Sequence, residues 1–231
     1  MVHKLNKSMK EKVMGLKSVY IEKGGSYKLV NEIPKFGINY NVGYIGFSNN
    51  NSKVAKLIKW GTKYDKKDKI EATHALIIIN EHECVEALMG KGVVVSPLSK
   101  YFESDEFDII IREPKEYNNI IANEIIKTAK DNVGAPYSAK AIFMSLGRGL
   151  FTGHIIDLIT KDKLWDHLCV NRIGKQTFIC SGLVAHCLQE AKSWAYNHSG
   201  VLQRNFSGIN PIELLYENKI FKDFEKSKIE V

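Results

Sequence analysis

The chain has 231 residues, a hydrophobic fraction of 44% and a charged fraction of 26%, ordinary values for one folded domain with a sizeable core. Its formal net charge is +7 at pH 7, but the basic residues are scattered: Lys63, Lys66, Lys67 and Lys69 alternate with Asp65 and Asp68, as in a solvated loop, and neither a recognition helix nor zinc-finger spacing accompanies them, so specific nucleic-acid binding is not expected. No run of about 18 apolar residues exists to span a bilayer, and the lysine-dotted start lacks the apolar core of a secretory signal, so the expectation is a cytoplasmic protein with its four cysteines, Cys84, Cys169, Cys180 and Cys187, as free thiols.

Residues 1–40 read as an extension packed on a domain that spans 41–231. Within the extension, Val19–Tyr20–Ile21 is a short strand and Gly24–Gly25 a turn. Tyr44 to Phe47 is the first strand of the domain, and Ser52 caps a helix from Lys53 to Thr62. Four strands then follow in series. They are the isoleucine-rich run His74 to Ile79, Cys84 to Leu88 after a turn at Asn80 to Glu83, Gly92 to Ser96, and Phe107 to Arg112. After Pro114 the pattern becomes helical, with Ile121, Ile125, Ile126 and Ala129 on one stripe. Gly134–Ala135–Pro136–Tyr137 breaks it, and further helices are expected over Ala139 to Leu146 and Ile155 to Leu168. A helix then runs from Cys180 to about Trp194, and Asn210–Pro211–Ile212–Glu213 is a compact helix start. Strands first and helices later indicate an α+β fold, an antiparallel sheet or small barrel packed against helices.

The residues that carry chemistry stand at the ends of these elements. Cys180 opens a helix, where unpaired backbone N–H groups and a partial positive charge stabilise a thiolate and can hold an oxyanion. His74 opens the most apolar strand, placed to take the thiol proton. Glu86 lies on the strand that a hairpin folds beside it, where a carboxylate would orient the imidazole. Tyr137 and Ser181 are expected to line the substrate site. Each residue also has a plain structural reading: a small core cysteine, a satisfied histidine, an exposed strand glutamate, a packed loop tyrosine. No metal or cofactor is called for. His82 and Cys84 would need a fourth ligand beside His74 to hold zinc. The glycines at 147, 149 and 153 lack the Lys-Ser/Thr of a phosphate loop. Cys187 sits in the core stripe of its helix.

The order of these features resembles the circularly permuted NlpC/P60 enzymes, a papain-like superfamily. It includes the YiiX/YaeF-like proteins, a poxvirus branch and the lecithin:retinol acyltransferase group. The likeness covers roughly Gly43 to Phe224 and is carried by six short segments in order. They are Gly43-Tyr-Ile-Gly-Phe-Ser48, Thr73-His-Ala-Leu-Ile-Ile-Ile79, Val85-Glu-Ala87, Gly134-Ala-Pro-Tyr137, Phe178-Ile-Cys-Ser-Gly-Leu-Val184 and Asn210-Pro-Ile-Glu-Leu214. Tyr44 and Ser138 stand where the pattern has Asp, and Gly182 where an acidic residue is common after Cys-Ser. The resemblance implies a Cys180–His74–Glu86 triad working through a thioester. A glutamate in the third place is similar to the bacterial branch and tilts the expectation toward amide hydrolysis, in a peptidoglycan-type or γ-linked peptide. The alternatives are lipid acyl hydrolysis or transfer, with peripheral membrane contact, and a binding protein that kept the fold without turnover. The expected partner is accordingly a small peptide, an amino-acid amide or a lipid.

Overall fold

The computed structural model describes residues 19–21, 27–29, 34–49, 72–104, 107–138 and 177–223. The expected turn at Gly24–Gly25, the helix over Lys53 to Thr62, the two helices between Ala139 and Leu168, and Cys169 lie outside them. Strands β1 (Val19–Ile21) and β2 (Tyr27–Leu29) form an antiparallel pair. The main sheet comprises β3 (Ile45–Asn49), β4 (His74–Ile78), β5 (Glu83–Leu88), β6 (Gly92–Pro97) and β7 (Asp108–Arg112). All its pairings are antiparallel, in the order β6-β5-β4-β3-β7. Within the described residues it is an open sheet rather than a barrel. The chain is therefore α+β, with the sheet in the middle.

Alternation along the strands makes two faces. Ile45, Phe47, Ala75, Ile77, Val85 and Val93 point to one side and form the main core with helices α2 (Asn119–Asp131) and α3 (Cys180–Glu190). Leu76, Ile78, Cys84, Ile109 and Ile111 point to the other, where they meet Leu98 and the short helix α1 (Lys100–Glu103) through Tyr101. Phe36 and Tyr40 pack on that second cluster, which ties residues 34–40 to the sheet. Strand β4 is thus apolar on two sides beyond His74, and its near-continuous hydrophobic run is the direct consequence.

Local chemistry fixes the helix starts. The Asn118 side chain accepts from the N–H groups of Ile120 and Ile121 at 2.9 and 3.1 Å, a cap that contributes about 1 kcal/mol. At α4 (Pro211–Leu215), Asn210 and Glu213 form a reciprocal capping box with proline in the first turn. Helix α3 stops at Glu190, short of the expected Trp194. Trp194 is still buried, its indole N–H donating to the Lys115 carbonyl at 2.7 Å, and Ser193 is held by Glu124 of α2 through its N–H and hydroxyl at 2.9 and 2.7 Å. A turn there puts the same apolar residues into the core that one more helical turn would have placed there. The segment after α4 is anchored to β7 by the buried Arg112, which donates to the Leu215 and Lys222 carbonyls and to Asn218 Oδ1.

Two 3₁₀ turns, Gly200–Gln203 and Phe206–Gly208, carry the chain from α3 back to α4. Helix α3 packs on β4 and β5 and on the second of these turns. That packing sets the N-terminus of α3 against the first residue of β4.

Candidate active site

Cys180 is the first residue of α3 and only 4% exposed. Ile179 before it is extended, with φ −93° and ψ 167°, and offers no side-chain cap. The first N–H groups of the helix therefore have no partner within it and point toward the chain that enters. The residues that lead into Cys180 are held by backbone pairing with the Gly134–Tyr137 segment. Phe178 N–H donates to the Pro136 carbonyl at 3.1 Å, and Ser138 N–H donates to the Phe178 carbonyl at 2.9 Å, so Tyr137 and Phe178 form a parallel bridge. This places Tyr137 beside the thiol. Burial and then the negative charge of Cys180 push the Tyr137 hydroxyl pKa upward, so it stays a neutral hydrogen-bonding group.

The Cys180 thiol lies against His74. Burial alone would raise its pKa. The His74 imidazolium, a hydrogen bond to that ring, and the N–H groups of Ala75 and Ser181 outweigh burial and bring it below the ordinary thiol value. The other two cysteines among the described residues go the opposite way. Burial pushes Cys84 up, reinforced by Glu86, and burial pushes Cys187 up inside the core. One thiol of the three is therefore disposed to ionise.

His74 stands at the rim of the sheet, where β4 begins. It bridges the two faces: its ring stacks on Tyr101 of α1, with centroids 6.3 Å apart and planes at 19°, and it meets the thiol of α3. Its Nε2 lies 2.6 Å from Glu86 Oε2, which leaves Nδ1 as the nitrogen available to the thiol. The side chain is 15% exposed. Burial would lower the His74 pKa, but the Cys180 thiolate and the Glu86 carboxylate raise it to about 9. Each group thus favours the charged form of the other.

Glu86 reaches His74 because of the strand register. Leu76 and Glu86 are direct cross-strand partners, so His74, two residues earlier on the same face, is the diagonal neighbour of Glu86. The Glu86 side chain is 0% exposed. Its Oε2 accepts from the Tyr101 hydroxyl at 2.7 Å as well as from His74, its Oε1 accepts from the Lys100 ammonium, and the Ser96 hydroxyl adds a further donor. Burial by itself would raise the carboxyl pKa. The hydrogen bond and charge of His74, then Lys100 and Ser96, hold it well below the usual carboxylate range. Lys100 and Tyr101 carry no motif, and sequence reading passed over them. Their helix has only four residues, so no periodicity announces it.

Ser181 enters the site through its backbone. Its hydroxyl is fully buried and donates to the Ile209 carbonyl at 2.6 Å, fastening the first turn of α3 to the chain entering α4. Gly182 follows, and a Cβ there would stand 3.1 Å from the Phe206 carbonyl oxygen and 3.2 Å from Ile179 Cγ1. The absence of the acidic residue expected after Cys-Ser thus matches the close approach of the Phe206–Gly208 turn. His82 lies in the turn between β4 and β5 with its ring against Phe36, centroids 5.6 Å apart. A scan against protein-family models finds no match to the chain, and a search of curated proteins finds no significant match.

Proposed function

We propose that the chain is a cysteine hydrolase that cleaves an amide bond through a thioester on Cys180, on a circularly permuted papain-like fold. The observation that carries this reading is the convergence of three side chains from separate elements. A thiol at a helix N-terminus is hydrogen-bonded to His74, and His74 is hydrogen-bonded through its other nitrogen to the buried Glu86. The chain order of the three also supports it: strands with the histidine and carboxylate come first and the nucleophile's helix comes late, as the permutation requires.

In this mechanism the Cys180 thiolate attacks the carbonyl carbon. The developing oxyanion is met by the N–H of Cys180, which has no acceptor within the helix. The His74 imidazolium gives its Nδ1 proton to the leaving amine, and the thioester forms as the C–N bond breaks. Water then attacks the thioester, His74 takes its proton, and Cys180 leaves as thiolate. Glu86 keeps the ring oriented and its charge balanced throughout. Tyr137, fixed by its bridge to Phe178, offers a hydroxyl to the carbonyl's surroundings.

The test is the pH dependence of alkylation by iodoacetamide, read at each cysteine by mass spectrometry, in the wild type and in His74→Ala. Cys180 is expected to react well below the pH of a free thiol, whose pKa is about 8.5, faster than Cys84 and Cys187, and to lose that advantage in His74→Ala. Cleavage in a panel of peptide amides set beside lipid esters then fixes the substrate class. Equal rates at Cys180 and Cys187, indifferent to His74, would overturn the catalytic reading in favour of binding on the same fold. Lipid turnover alone would replace amide hydrolysis with lipid acyl hydrolysis or transfer.

A further inference from the structure

The carboxylate that orients His74 is shared. A group that served the imidazole alone would need one donor; Glu86 has four, from three elements. Both oxygens are occupied, one by Lys100 and the other by His74 and Tyr101 together. Tyr101 holds the site in two ways, since its hydroxyl donates to Glu86 while its ring stacks on His74. Lys100 is 31% exposed, and its ammonium reaches from the surface to a carboxylate that is 0% exposed.

We propose that Lys100 and Tyr101 are positioning residues that fix the Glu86 carboxylate and draw on its charge, so setting how tightly His74 keeps its proton. The inference rests on the reading of Cys180–His74–Glu86 as a catalytic set. Its chemical sense is that the same imidazole must hold a proton against the thiolate and later release it to a leaving group, and efficient transfer requires a pKa near the working pH. An unshared buried carboxylate would bind the imidazolium too firmly. Among the described residues, Cys180 from α3, Glu86 from β5 and Tyr101 from α1 face His74, while Lys100 and Tyr101 from α1, Ser96 from β6 and the Cys84 thiol of β5 face Glu86.

The experiment follows Cys180 alkylation by iodoacetamide through the alkaline range, where loss of the imidazolium proton produces an inflection. The full chain is used as wild type, Lys100→Met, Lys100→Arg, Tyr101→Phe and His74→Ala. The wild type is expected to show the inflection near 9 above a thiolate already reactive at lower pH, and His74→Ala a single rise at the thiol's own ionisation, at or above about 8.5. Lys100→Met should move it upward by about one pH unit, the effect of removing a cation from the shared carboxylate. Tyr101→Phe should move it upward by less, and Lys100→Arg should restore the wild-type position. An inflection that stays in place or falls in both Lys100→Met and Tyr101→Phe overturns the proposal while leaving the catalytic reading intact. A wild type whose profile matches that of His74→Ala sinks both. Should Lys100→Met fail to fold by circular dichroism, the upward shift in Tyr101→Phe decides alone, and its absence is the refutation.

Discussion

Replacing Glu86 by glutamine tests the buried carboxylate as a source of both stability and imidazole basicity. The wild-type side chain is wholly buried and accepts from His74, Tyr101, Lys100 and Ser96. A glutamine has one acceptor oxygen, so its amide N–H₂ must face either Lys100 or the His74–Tyr101 pair, donor against donor. Breaking a buried ion pair costs about 3–5 kcal/mol, but Lys100 can turn its partly exposed ammonium back to water, which lowers the expected loss to about 2–3 kcal/mol. For a chain of this size that is a fall in Tm of roughly 5–10 °C. The pH dependence has a definite sign. The folded-state pKa of Glu86 is depressed, so its contribution is complete above the unfolded carboxyl value of about 4.3 and is lost as pH falls through that value toward the folded pKa. Urea unfolding of wild type and Glu86→Gln should therefore differ fully at neutral pH and converge in acid. In the same variant the alkaline inflection of Cys180 alkylation should drop below 9, because the imidazolium has lost its carboxylate. Equal unfolding midpoints at neutral pH, or a gap that persists unchanged into acid, would refute the assignment of a buried, charged Glu86.

Two further outcomes separate backbone from side-chain roles around the nucleophile. Ser181→Ala removes the hydroxyl that donates to the Ile209 carbonyl and should cost about 1–2 kcal/mol in urea unfolding, while the pH profile of Cys180 alkylation keeps its position because the Ser181 N–H is retained; a displaced profile would assign the hydroxyl a direct part in the site. Gly182→Asp forces a Cβ to within 3.1 Å of the Phe206 carbonyl oxygen and should destabilise the protein by about 1–3 kcal/mol, read as a lower unfolding midpoint; an unchanged midpoint would mean that the Phe206–Gly208 turn yields freely.

Much of the fold is legible because it is written in short-range chemistry. The run from His74 to Ile78 is apolar on both sides because β4 is covered on both faces, and Asn118 and Asn210 announce α2 and α4 because an unpaired first turn needs an acceptor. The order of the strands is less visible. A series of four strands suggests neighbours in sequence lying side by side, which holds for β4, β5 and β6. Strand β7 instead crosses to the far edge and pairs with β3, Ile45 opposite Arg112 and Asn49 opposite Asp108. Nothing in the residues 108–112 distinguishes the two edges; α1, between β6 and β7 in the chain, packs on the second face against Ile109 and Ile111 of β7 through Tyr101. The end of α3 fails for a related reason, since the spacing of Ala191 and Trp194 satisfies a helix and a buried turn equally, and the contact of Ser193 with Glu124 selects the turn.

The same distinction governs the site. Cys180, His74 and Glu86 can be picked out because each occupies the end of an element or a position fixed by a hairpin, and ends and registers leave marks in sequence. Lys100 and Tyr101 leave none. Their contact with Glu86 depends on β6 turning into α1 over the outer face, through the Leu98 N–H bond to the His82 carbonyl at 2.7 Å and the tight turn from Leu98 to Tyr101 at 3.1 Å. A charged carboxylate with no exposed surface carries a desolvation cost that one imidazolium offsets only in part, leaving oxygen lone pairs to be satisfied. Once Glu86 is known to be buried, further donors are required, and the second face of the sheet is where they had to be found. Burial, which the sequence does not record for a glutamate, is thus the missing premise that turns two unremarked residues of a short helix into part of the arrangement around Cys180.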